Sequence, residues 1–244
     1  MRALLTDACR TLVPQRGDRH GPLPPLLLTL TLVTGLVDAV SYLALGKVFV
    51  ANMTGNVVFL GFALTGADGL SALASVVSLT AFLAGALAGG RLGTRFAGNR
   101  GRLLAVATAV QAVLIAAAVV VAAIGGEVTT AVRYALIVLL GLAMGAQNAV
   151  ARRLGVPDLT TTVLTLTLTG LAADSTSAGG KAPRPGRRIM SVLVMFLGAL
   201  VGAVLIEYDL FVALLGLVLL LVVVTSVVAY RLSAGGAAWT PPPS

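Results

Sequence analysis

The sequence predicts an all-α membrane protein: six full transmembrane helices plus two short re-entrant or broken helices, arranged as an inverted 3+3 repeat. Three observations carry that expectation. Hydrophobic residues make up 58% of the chain and charged residues 11%, less than half the charged share of a soluble domain. Eight apolar segments can be marked, and six reach the roughly 17–25 residues that a span needs. The other two are short and open with polar runs, Ala51–Asn56 and Asp158–Thr162.

In chain order the segments run Leu27–Leu45, Val48–Ala63, Leu70–Gly90, Leu103–Ile124, Thr130–Val150, Leu159–Ala172, Ile189–Ile206 and Leu210–Tyr230. The first is apolar except for Asp38. The third and seventh carry small-residue pairs four apart, Ala84/Ala88, Gly85/Gly89 and Gly198/Gly202. Such pairs let helices approach closely, within one chain or between copies in a homo-oligomer. The sixth alternates Leu164-Thr165-Leu166-Thr167-Leu168-Thr169, which also suits a strand. A lone strand in lipid leaves its backbone unpaired, so a buried helix is expected.

The formal charge is +8, but the basic residues fall in loops beside apolar segments. That is topology, not a nucleic-acid surface. If segments two and six enter and leave on one side, the N-terminal tail, the Arg91–Arg102 loop, Arg152/Arg153, Lys181–Arg188 and Arg231 all share a side. Only Lys47 and Arg133 then lie opposite. The positive-inside rule makes the first side cytoplasmic, with both termini there. Each half becomes span, short segment, span, span, and the second half starts on the side opposite to the first. The expected organisation is a disordered tail over 1–22, one membrane domain over 23–232 with halves of about 23–125 and 129–232, and a disordered tail over 233–244. The arginine-rich usage is a bias common in GC-rich genomes and suggests a bacterial inner membrane.

Cys9 and His20 are the only residues of their types and both sit in the N-terminal tail. No disulfide within the chain and no Cys/His metal site is expected. Nor is a cofactor expected, and no Gly-rich loop with Lys-Ser/Thr would bring ATP. With no histidine or cysteine in the membrane, an enzyme is not expected.

The polar residues inside the apolar segments are the candidate site. Asp38, Ser41 and Tyr42 share one helix face, and a carboxylate there costs about 2.5–3.5 kcal/mol on insertion scales. It is a solute or cation ligand, a proton-coupling carboxyl, or a packing group. Asn52, Thr54 and Asn56, around Gly55, open the second segment. They contact a solute or cap a broken helix. Asp158, Thr160 and Thr161 are the matching residues of the second half. Gln147 and Asn148 stand in the fifth segment where Ser41 and Tyr42 stand in the first.

Four strings carry a family resemblance: Gly35-Leu36-Val37-Asp38-Ala39-Val40-Ser41-Tyr42-Leu43, Asn52-Met53-Thr54-Gly55-Asn56, Met144-Gly145-Ala146-Gln147-Asn148-Ala149, and Asp158-Leu159-Thr160-Thr161-Thr162-Val163-Leu164-Thr165-Leu166-Thr167. Together they resemble the YoaK family of bacterial membrane proteins, over about Leu23 to Arg231. The resemblance implies a multi-spanning inner-membrane protein without an assigned biochemical role. The residues themselves suggest a secondary transporter of a small polar solute, coupled to protons or a cation through Asp38. A passive channel and a non-transporting assembly protein are the alternatives. The expected partners are the lipid bilayer and the solute.

Overall fold

A computed structural model describes residues 2–13, 17–126, 128–159, 161–162, 164–180, 184–233 and 239–241. Helices run over α1 (Arg2–Leu12), α2 (Leu23–Ala44), α3 (Met53–Leu64), α4 (Ala72–Arg95), α5 (Arg100–Gly125), α6 (Thr130–Leu154), α7 (Leu164–Ala173), α8 (Pro185–Glu207) and α9 (Phe211–Ser233), with no strand among the described residues. Six of them, α2, α4, α5, α6, α8 and α9, are long and apolar enough to cross a membrane. The alternating Leu-Thr run is helical, as backbone pairing in lipid requires.

Local chemistry sets the helix ends. Pro24 sits in the first turn of α2, where its missing N–H costs nothing. Ser71, Asn99 and Thr129 accept N–H groups from the first turns of α4, α5 and α6. Gly155 closes α6 in the left-handed conformation. The short helices begin later than the apolar segments do. Residues 48–52 are irregular or bent, 161 and 162 are bent, and α3 and α7 start only at Met53 and Leu164.

The dominant helix pairs are α4 with α6, α2 with α8, and α5 with α9. Glycine makes the first two crossings possible. A side chain at Gly85 would run into the Leu142 carbonyl, and one at Gly145 into the Phe82 carbonyl. On the other pair, Gly35 meets the Met195 carbonyl and Gly198 the Leu32 carbonyl. The Gly85/Gly89 and Gly198/Gly202 faces expected to allow close approach are thus used inside the chain, whereas Ala84 and Ala88 are exposed. Gly145→Leu is therefore expected to lower unfolding free energy by ~3 kcal/mol or more, because backbone rather than a movable side chain blocks it. Thermal unfolding in detergent checks this. Outward, α4, α8 and α9 present large apolar side chains such as Leu83, Phe196 and Leu220, the face that a bilayer covers.

The two tails carry more order than expected. Residues 2–12 are helical, and Trp239 is only 7% exposed, its ring seated where side chains at Gly21 and Gly101 would be. Both termini therefore lie at one end of the bundle.

Candidate functional site

Asp38 lies six residues before Ala44, the last residue of α2. At 1.5 Å per residue that is about 9 Å in from the helix end. The chain doubles back over this distance. The N–H groups of Val50 and Ala51 donate to Asp38 Oδ1 at 3.3 and 3.0 Å, and Asn52 Nδ2 donates to Oδ2. One carboxylate thus satisfies three donors on a stretch that cannot pair with itself. Only 5% of Asp38 is exposed.

A comparable device with different chemistry precedes α7. Asn148 lies six residues before Leu154, the end of α6. Its Oδ1 accepts the hydroxyls of Thr162 at 2.6 Å and Thr161 at 3.4 Å. Its Nδ2 donates to the Met144 carbonyl one turn back. Here an amide holds the returning chain by its side chains, where Asp38 holds it mainly by the backbone.

Asn56 fixes the turn in the first half. Its Oδ1 accepts the Phe49 N–H at 2.8 Å and its Nδ2 donates to the Phe49 carbonyl at 2.6 Å. Ser78 of α4 joins the same carbonyl at 2.6 Å and accepts from Asn56 Nδ2 at 3.2 Å. The Phe49 ring then stacks on both Tyr42 and Phe59, with centroids 5.1 and 5.7 Å away, and the three rings form one cluster. Gly55 is helical. Its role is room: a Cβ there would lie 2.6 Å from the Phe49 ring. Asn56→Ala is expected to cost ~1–3 kcal/mol, since it strands the Phe49 N–H while Ser78 still serves the carbonyl. Chemical unfolding of the purified protein measures it.

The two returning stretches face each other. A cavity of about 260 Å³ lies between Ala51–Thr54 on one side and Thr162, Leu164 and Thr165 on the other, with Phe82 closing it. No charged side chain lines it. A second cavity, of about 310 Å³, lies between α2 and α8. Asp38, Tyr42 and Asn52 meet Met195 and Ala199 there. Asn52 belongs to both. A larger space of about 510 Å³ opens at the far end, beside Ala44, Val132 and Asp209. It shares no lining residue with the other two.

Several expected site residues stand elsewhere. Ser41 is fully buried and bonds back to the Asp38 carbonyl at 3.2 Å. Gln147 belongs to a separate buried network. Its Oε1 accepts from Gln111 Nε2 at 2.7 Å, and its Nε2 donates to Thr34 Oγ1 at 3.0 Å. Asp158 does not face the cavity. Its carboxylate accepts Arg188 Nε at 2.9 Å, and the same guanidinium reaches Asp174 at 2.7 Å. Arg188 pins the end of the second return to the start of α8. Arg188→Ala is expected to cost ~1–3 kcal/mol, read by thermal unfolding. Thr161 is buried on Asn148 and precedes α7. Thr160 lies outside the described residues. Sequence reasoning left out Ser78, Gln111 and Phe82. A lone amide within the apolar Leu103–Ile124 segment was the one legible signal among them. Among the described residues no three His, Cys, Asp or Glu side chains gather to hold a metal ion.

Six apolar helices of spanning length define a multi-spanning membrane protein. The chain belongs to the family described as "Protein of unknown function (DUF1275)", whose model matches residues 26–227. It is 34% identical over 151 residues to the UPF0700 transmembrane protein YoaK of Bacillus subtilis (strain 168). That match covers 61% of this chain and 65% of the relative, a little under two thirds of the relative's length. The resemblance carried by the Asp38, Asn52–Asn56 and Met144–Ala149 strings is thereby borne out. No solved structure matches the chain.

Proposed function

We propose that this protein is a secondary transporter of a small polar solute, with anions favoured, and that Asp38 couples transport to protons or another cation. The observation that carries the reading is the convergence of the two interrupted segments on one cavity. Helix α3 starts at Met53 and α7 at Leu164, and both residues line it. A helix start presents unpaired N–H groups and a partial positive charge. Two such ends, with Asn and Thr side chains and no charged one between them, favour a negative or strongly polar occupant. Asn52 supplies the coupling route. It lines the solute cavity while its amide holds Asp38. A proton or cation on Asp38 weakens that hold and frees the loop at the cavity wall.

An inverted repeat accounts for the packing. Exchanging α2 with α6, α3 with α7, α4 with α8 and α5 with α9 turns the α4/α6 pair into α8/α2, and α3/α4 into α7/α8. The α5/α9 pair maps onto itself, and all of these pairs pack together. Asp38 and Asn148 lie equally far from the ends of α2 and α6. Segments that enter from opposite sides and meet inside the bilayer suit alternating access.

The arginine-rich end, which holds both termini, is read as cytoplasmic in an inner membrane. Reporter fusions at Arg100 and Gly186 are expected on the same, cytoplasmic side. The functional test uses proteoliposomes and a panel of small carboxylates, inorganic anions and amines. Saturable anion uptake that follows an imposed pH or cation gradient is the expected result. Flux that neither saturates nor follows a gradient would favour the passive channel, and no flux at all would leave the assembly-protein reading.

A further inference from the structure

At the end of the bundle that holds both termini, Arg100 opens α5 and ties together segments far apart in sequence. Its backbone N–H donates to the Thr240 carbonyl at 2.8 Å. Nη2 donates to the Leu154 carbonyl, the last residue of α6, at 2.5 Å, and meets His20 Nδ1 at 3.2 Å. Nη1 reaches the carbonyls of Arg19 and Trp239 at 3.4 and 3.5 Å. Arg100 is 3% exposed, and no carboxylate bonds to it among the described residues. Trp239 closes the junction over Gly21 and Gly101.

The chemistry of this junction dictates the state of His20. A guanidinium only donates, so Nδ1 must accept, and only the neutral imidazole can do so. The charges around the ring weigh further against protonation. Asp18, whose Oδ1 accepts the His20 N–H at 2.8 Å, is the one carboxylate acting on it. Arg100 of α5, Arg187 of α8 and Arg184, which precedes α8, act in the opposite sense. Arg19, the neighbour on the same segment, adds another positive charge.

We propose that His20, Arg100 and Trp239 form an acid-released latch: protonation of His20 expels it from Arg100 and frees the Trp239–Thr240 segment from the start of α5. Burial, then the arginines, push the His20 pKa down to about 4 from 6.5. A depressed histidine supports the folded contact above the unfolded value, and that support drains as pH falls from 6.5 through about 4. The latch spans the chain. Arg100 belongs to the first half, whereas Leu154 and Trp239 belong to the second and its tail. A restraint on movement between the halves rests on the transport reading; the latch itself does not.

Trp239 is the only tryptophan, so its emission reports the latch in the full-length protein without labels. In nanodiscs at neutral pH, the wild type is expected to emit as a buried indole and to resist acrylamide quenching. On acidification from 6.5 towards about 4, emission is expected to move to that of a solvated indole, with helix content by circular dichroism unchanged. His20→Asn places a neutral acceptor oxygen where Nδ1 stands, so its emission is expected to stay buried over the whole range. A wild type whose Trp239 stays buried down to that pH overturns the proposal, whatever the variant does. So does a His20→Asn protein that titrates like the wild type, or one that is already solvated at neutral pH.

Discussion

Asp38→Asn is expected to leave the protein folded and inserted and to abolish gradient-driven uptake, whereas Asp38→Ala is expected to lose stability as well. The difference follows from the donors that Asp38 serves. An asparagine oxygen can still accept the N–H groups of Val50 and Ala51, which both bond to Oδ1. Its amide would face Asn52, and a flip of the Asn52 amide restores that contact with donor and acceptor exchanged. Alanine serves none of the three donors. Stranding buried N–H groups costs ~1–3 kcal/mol each, so the alanine variant is expected to lose at least that amount in chemical unfolding. Pairing the two variants separates charge from scaffolding. If Asp38→Asn transports like the wild type, Asp38 is a structural cap and the coupling role is wrong.

Thr54→Trp is expected to block the solute cavity. Thr54 is exposed on the first turn of α3 and lines the space of about 260 Å³ that it shares with Thr162 and Thr165. An indole placed there fills the space without displacing packed side chains. Uptake is expected to fall at least about tenfold, a loss of ~1.4 kcal/mol or more in solute binding. Unfolding free energy is expected to move by no more than ~0.5 kcal/mol, as for exposed positions in general. Uptake that survives the substitution would place the solute path elsewhere.

The six long helices could be read from the chain because length and apolar content alone decide a span. The short helices were legible as interruptions, since Asn52–Asn56 and Asp158–Thr162 have no other reason to sit between apolar runs. Their starting points were not. Met53 and Leu164 begin helices where they do because Asp38 and Asn148 bond to the residues ahead of them, and contacts across a returning chain leave no periodic trace. Asp38 stood out as an isolated carboxylate, but its main partners are backbone N–H groups, which carry no residue signature. Asp158 looked like the counterpart of the Asn52–Asn56 run. Arg188, thirty residues on, claims it through an ion pair that spacing does not reveal. The residue comparable to Asp38 is Asn148, which the sequence offered beside Gln147 with nothing to separate two adjacent amides that serve different networks. Trp239 lay in a Pro- and Gly-rich tail, and only the bare backbones of Gly21 and Gly101 make its seat.

The transport reading requires that the two interrupted segments share one water-reachable cavity inside the membrane domain. Cys9, the only cysteine, is exposed, so a Cys9→Ser background leaves Thr54→Cys and Thr165→Cys as lone thiols on the two sides of that cavity. Their labelling with a charged, membrane-impermeant methanethiosulfonate in oriented vesicles is the most direct test. Both positions are expected to label. In the double variant, a bulky adduct at one is expected to shield the other, because they line the same space. If neither thiol reacts with the charged reagent while a lipophilic maleimide reaches both, or if the two label independently, the two segments do not form one polar site.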